Sequence, residues 1–203
     1  MTFDCFARLR TACRSGVVFG LAALIPAAPA WAGPTVDEIK ARGELICGVS
    51  QGSAGLSLAD GDGRWAGLDV DYCRALAAAV VGDAEKVRFV PLSSQQRFTA
   101  LQSKEIDVLS RNTTITSSRD SSLGVTSAGV IFYDGQGFLV PRASGITSAR
   151  ELDGATVCVL TGTTTELNLA DYFRANNMQL RSVTNENVNV LVETYLGGGC
   201  DAY

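Results

Sequence analysis

The stretch Ser93–Asp120, SSQQRFTALQSKEIDVLSRNTTITSSRD, decides how this chain is read. Gln95–Gln102 reads as a helix and Ile106–Leu109 as a short apolar strand, and Arg111-Asn112-Thr113-Thr114 leaves the strand's carboxyl end. Thr116-Ser117-Ser118 is suited to capping a new helix that begins near Arg119. In an open α/β sheet, ligands bind just outside the carboxyl ends of the strands, where these residues fall. Their chemistry is that of donors. An arginine fork holds a carboxylate bidentately, and threonine hydroxyls with loop amides complete a cage. The implied ligand is a small carboxylate. The alternative is a solvated Ser/Thr-rich loop with surface arginines, which spacing alone favours.

Outward from this stretch, strands and helices alternate. Pro34–Lys40 opens a helix with Thr35 and Glu38 in capping-box spacing, and Gly43 ends it. Glu44–Val49 is a strand, and Asp60-Gly61-Asp62-Gly63 marks a hairpin. From Asp69 to Val81 the residues Val70, Cys73, Leu76, Ala77 and Val80 recur at helical spacing before Gly82, and Val87–Val90 is the next strand. Such alternation with short loops means parallel pairing through right-handed crossovers. The pattern breaks at two apolar runs, Gly129–Tyr133 and Gly137–Val140, around Asp134-Gly135-Gln136. It then restarts: helix near Ser148–Leu152, strand Ala155–Leu160, helix Thr164–Ala175, strand Met178–Val183, helix Asn187–Leu196. The expected fold is α/β with two lobes, 33–133 and 141–203, joined by an extended hinge crossover at 134–140. Cys200–Tyr203 reads as the opening of a strand that stops, so the second lobe is expected to be incomplete.

A second donor loop, Leu160–Glu166, also leaves a strand and opens a helix, with Thr163 and Glu166 in capping-box spacing. Free N–H groups and the positive dipole end make such a terminus an anion site; the plainer reading is a capped helix.

The first 32 residues read as a cleaved secretory signal. Arg8, Arg10 and Arg14 form the positive region, Gly16–Ile25 an apolar core too short to span a bilayer, and Ala30-Trp31-Ala32 the cleavage site. Cys13 precedes that core, which argues against a lipid anchor. Removing three arginines and one aspartate leaves 14 basic and 20 acidic residues, a net charge of −6. So acidic a protein is a poor partner for nucleic acid or anionic membranes. Four cysteines remain, Cys47, Cys73, Cys158 and Cys200. Four allow three pairings in an exported protein. Placement on elements of the same lobe favours Cys47 with Cys73 and Cys158 with Cys200, four buried thiols being the alternative. The chain has no histidine and no Cys-x-x-Cys pair, so neither a metal nor a cofactor is expected.

The ordered run Gly67-Leu68-Asp69-Val70-Asp71, Arg97-Phe98, Leu101-Gln102-Ser103, Ile106-Asp107-Val108 and Thr114-Ile115-Thr116-Ser117-Ser118-Arg119 resembles the periplasmic amino-acid-binding proteins of ABC importers, solute-binding protein family 3. The resemblance extends from about Val36 to the last residue. It implies a type II, Venus-flytrap receptor, monomeric and periplasmic, that closes on an L-amino acid and delivers it to a permease in the inner membrane. It implies that Arg119 holds the ligand's α-carboxylate beside the Thr114 hydroxyl and amides near Asn112. Thr163, and less firmly Thr164, would close from the second lobe. Ser94 and Arg97 match positions that contact the ligand side chain in glutamate- and aspartate-binding relatives. Ser50 stands where those relatives carry a further arginine, and Arg111 is either a substitute or structural. The four cysteines and the run Thr163–Met178 resemble the general L-amino-acid-binding proteins, which implies broad specificity. The family's ammonium-binding aspartate falls past Tyr203, so this chain by itself is expected to bind weakly. The same fold also resembles periplasmic dehydratases of cyclohexadienyl acids, but those need an acid that the Thr-rich loops do not supply. A membrane-receptor sensor module would need a downstream apolar span.

Overall fold

The computed structural model describes residues 33–203, and the expected signal segment 1–32 lies outside the described residues. Helix α1 is Pro34–Arg42. Proline's fixed φ suits the first helical position, and the cap is Gly33, with no side-chain bond. The expected Thr35–Glu38 capping box therefore does not form, because the helix begins one residue before Thr35. Glu38 instead pairs with Lys104 Nζ at 3.1 Å.

Strand β1, Leu45–Ser50, is buried at every residue. It lies between β4 (Val87–Leu92) and β5 (Val108–Leu109), parallel to both, with Leu45 opposite Val87 and Cys47 opposite Val108. One face of β1, Leu45, Cys47 and Val49, packs with Val70, Cys73 and Ala77 of α2 (Leu68–Val81). Its other face presents Ile46 to Leu92, Ile106 and Ala100 of α3 (Gln96–Gln102). Gly48 makes room on that face, since a Cβ there would lie 2.6 Å from Ile106 Cδ1. β5 is shorter than the expected Ile106–Leu109, because the side chain of Asp107 enters the ladder. Its Oδ2 accepts from the Ile46 N–H at 2.7 Å and also takes Arg42 Nη2. The expected hairpin forms from β2 (Leu58–Ala59) and β3 (Trp65–Ala66), with Asp60 Oδ1 accepting from the Asp62 and Arg64 amides.

Helix α4, Ser117–Ser122, ends the first group of elements. The expected extended runs at 129–133 and 137–140 do not join a sheet. Leu139 nevertheless exchanges both backbone hydrogen bonds with Tyr203, at 2.7 and 2.9 Å. Phe138 and Val140 pack on the second core.

The helix expected near Ser148–Leu152 is a 3-10 turn, Ala149–Leu152, capped by Ser148. β6 (Thr156–Leu160) runs parallel to β7 (Arg181–Asn185), and Ala202 bridges its other edge. β7 begins three residues later than expected. The Met178 amide bonds to Phe173 O at 2.8 Å and the Gln179 amide to Asp153 Oδ1, which ties these residues to the preceding helix and turn. Val157 and Val159 pack with Leu169 and Phe173 of α5 (Thr164–Ala175). Cys158 faces Leu191 of α6 (Val188–Leu196). Both sheets belong to one compact unit. The disulfides Cys47–Cys73 and Cys158–Cys200 join residues 26 and 42 apart, the first tying β1 to α2 and the second tying β6 to the segment after α6.

Gly67 has φ +124°, and a Cβ there would lie 2.3 Å from Leu56 O. Gly67→Ala is expected to destabilise the chain by about 2 kcal/mol or more in urea titrations. Replacing Cys158 and Cys200 by serine is expected to remove about 2–4 kcal/mol, read as faster amide exchange in β6 and β7 with β1 unaffected.

Candidate functional site

The site is assembled at the carboxyl ends of β4 and β5. Beyond β5 the chain turns through Asn112 at φ +30°, a strained value that asparagine tolerates better than most residues. The turn is held by Asp69, in the first turn of α2 and 2 % exposed. Its Oδ2 accepts from the Asn112 N–H at 3.2 Å and its Oδ1 from Ser110 Oγ at 3.5 Å. Desolvation pushes the Asp69 carboxyl above the usual carboxylate range, and those two hydrogen bonds, then Arg111, pull it back. Arg111 is also buried; Nε donates to Leu92 O and Nη2 to Ser94 Oγ, both at 3.0 Å. Burial lowers its pKa to about 10, against the opposing effect of Asp69.

Arg97 is 2 % exposed. Its Nη1 reaches Thr113 Oγ1 at 3.4 Å and its Nη2 donates to Gly162 O at 3.2 Å, while Nε has no partner among the described residues. Burial, then the charges of Arg111 and Arg119, lower its pKa to about 9. Arg119 is half-buried and donates to Thr114 O at 2.7 Å, its helix capped by Thr116 Oγ1. Burial holds its pKa below the ordinary value. The guanidinium carbons of Arg97 and Arg119 lie 4.9 and 5.1 Å from the Phe98 ring centroid, so one ring supports both cations. Among the described residues, Asp69 is the one carboxylate whose charge bears on any of the three shifted arginines, through Arg111. The cluster is therefore suited to an anion.

The second loop faces this cluster. Gly162 has φ +75°, and a Cβ there would lie 2.9 Å from Gln95 Cγ, so only glycine allows this approach. Thr164 Oγ1 donates to Thr114 Oγ1 at 3.1 Å. The Thr163 hydroxyl is occupied in capping α5, accepting from the Glu166 amide and donating to Leu160 O. Of the expected site residues, Arg97, Thr114, Arg119 and Thr164 thus gather around one junction, with Ser94 attached through Arg111. The Asn112 amide is engaged by Asp69. Ser50 is buried, and its hydroxyl lies 2.6 Å from Ser57 Oγ. Asp69, Ser57, Phe98, Thr113 and Gly162 were not assigned roles from sequence. The available signal for Asp69 was an acidic residue directly beside the buried stripe of α2. An apolar cleft of about 580 Å³ lined by Phe138, Ile146, Leu152 and Tyr172 contains none of the donors. Among the described residues no group of three or more His, Cys, Asp or Glu is placed to hold a metal.

Comparison with known proteins matches residues 45–195 to the model of bacterial extracellular solute-binding proteins, family 3. The chain is 50 % identical over 184 residues to the general L-amino acid-binding periplasmic protein AapJ of Rhizobium johnstonii, covering 91 % of this chain and 54 % of AapJ. It is 51 % identical over 183 residues to the glutamate/glutamine/aspartate/asparagine-binding protein BztA of Rhodobacter capsulatus, covering 90 % and 54 %. A solved periplasmic binding protein of an ABC transporter from Brucella ovis, with glutathione bound, superposes with a TM-score of 0.80 at 53 % identity, over 83 % of this chain and 53 % of that one. The chain spans about half the length of the relatives it matches. It belongs to the bacterial extracellular solute-binding proteins, family 3.

Proposed function

We propose that this protein captures L-amino acids outside the cytoplasm, between lobes 33–133 and 141–203 that turn about the crossover 134–140, and delivers them to an ABC permease in the inner membrane. The observation that carries this reading is the junction itself: Arg97 donates to Gly162 O and Thr164 to Thr114 Oγ1, two hydrogen bonds linking positions 65 and 50 apart in sequence, with Arg119 bonded to Thr114 O beside them. A ligand lying there contacts both sheets, so binding favours the closed arrangement by its differential contacts.

In this reading Arg119 holds the α-carboxylate with Thr114 beside it. Thr164, whose hydroxyl faces Thr114, closes from the other side, and Thr163 contributes through the start of α5. Arg97 and Ser94 meet the side chain. The buried Nε of Arg97 favours acidic or amide side chains, since a buried donor gains most from an acceptor. Breadth is supported by Ser50, whose hydroxyl is turned to Ser57 where acid-specific relatives place an arginine. It is also in keeping with a general amino-acid binder and a glutathione-bound neighbour among the similar proteins. The dehydratase reading gains nothing, because the buried carboxylate of Asp69 is held by Asn112 and Ser110.

An NMR titration of the chain with each of the twenty amino acids, which reads even millimolar affinities, tests the proposal. Glutamate and glutamine are expected to shift the amides of Thr114, Gly162 and Thr164. A charged hydrogen bond contributes about 1.5–3 kcal/mol, so Arg119→Ala should weaken binding more than tenfold. Arg119→Lys should not restore it, since a point charge does not replace a fork. Absence of any shift at tens of millimolar ligand would overturn the reading.

A further inference from the structure

Two charged side chains at the site, Asp69 and Arg111, carry no ligand-contacting role in the reading above, yet Arg111 holds Ser94, which does, and Asp69 holds the Asn112 turn that leads to Thr114. We propose that they are positioning residues for side-chain selectivity: Arg111 fixes Ser94 as a hydrogen-bond donor, Asp69 pins the Asn112 turn, and together they favour ligands whose side chains end in an acceptor oxygen. The proposal rests on the amino-acid reading and adds to it the residues that set the pocket's polarity.

The argument starts from the chemistry of Ser94. A hydroxyl has one proton to donate and two lone pairs to accept with. Arginine has no acceptor, so Arg111 Nη2 at 3.0 Å fills a lone pair of Ser94 Oγ and leaves its proton unassigned. Ser94 is 2 % exposed, and no described residue accepts that proton. Three residues on, Arg97 Nε is a second buried donor without an acceptor. Buried donors are ordinarily partnered, and an acceptor on the ligand satisfies both. A ligand ammonium or guanidinium brings only donors, and adds a cation beside Arg97 and Arg111.

Arg111 can impose this polarity because its Nε is fixed to Leu92 O at the end of β4. Asp69 is fixed in turn on α2, which packs on β1. Its carboxylate links the helix to both Ser110 and Asn112 beyond β5. In this proposal the polarity of the junction is thus set by residues that do not touch the ligand.

The test uses two readouts on the same isotope-labelled chain. Without ligand, Asp69→Ala is expected to speed exchange of the Asn112 amide at least tenfold, while the Cys47 and Val49 amides of β1 keep their wild-type rates. Unchanged exchange at Asn112 overturns the pinning role. With ligand, Arg111→Lys is expected to weaken glutamate and glutamine at least tenfold and alanine less than threefold. Equal weakening of all three, or of none, overturns the selectivity role. Should Arg111→Lys not fold, Ser94→Ala removes the donor that Arg111 holds and is expected to weaken glutamate and glutamine at least tenfold and alanine less than threefold, equal weakening of all three overturning the selectivity role. If the wild-type chain binds no amino acid, the functional reading and the selectivity role fall together, and the ligand-free exchange still decides whether Asp69 pins Asn112.

Discussion

Burial of β1 along its whole length is the constraint from which the first half of the molecule follows. A strand with no exposed residue needs a hydrogen-bonded neighbour on each edge and an apolar layer on each face. β4 and β5 supply the edges, and α2 and α3 supply the layers. Because all three strands are parallel, their carboxyl ends lie at one end of the sheet. The segments that leave β4 and β5 therefore converge without any further device, and they carry Ser94 and Thr114 in loops and Arg97 and Arg119 in the first turns of α3 and α4.

The charge in that convergence is unbalanced. Arg97 and Arg111 are both buried, and among the described residues Asp69 opposes Arg111 while no carboxylate offsets Arg97. Isolated buried cations are costly unless paired or hydrogen-bonded. Arg111 is settled by two acceptors and Asp69. Arg97 is settled only in part, by a carbonyl of the second sheet, a long contact to Thr113 and the face of Phe98. In the proposed reading, a ligand acceptor would complete it. The second sheet repeats the design on a smaller scale, with β6 between β7 and Ala202 and a disulfide beneath α6.

Much of this was legible in the chain. Helical spacing located α2, the alternation of strands and helices implied parallel pairing, and same-lobe placement favoured both cysteine pairings. Two donor-rich loops stood out by composition and by following strands. What was misjudged was local competition for hydrogen bonds. The Thr35–Glu38 pattern has capping-box spacing, but Pro34 starts the helix first. Ile106–Leu109 has strand composition, but the Asp107 side chain takes the Ile46 amide. Thr163 has capping-box spacing with Glu166 and was also expected, ahead of Thr164, to close on the ligand, yet capping occupies its hydroxyl and it is Thr164 that faces Thr114.

The sequence by itself determined the α/β alternation, the cysteine placement and the residue types at the site, because periodicity and turn chemistry depend on near neighbours. Tertiary structure alone decided which donors are free. The partners of Ser94, Asn112, Thr164 and Arg97 lie 17, 43, 50 and 65 positions away in sequence. A hydrogen bond is allocated by what reaches the donor first in space, and no local pattern encodes that distance.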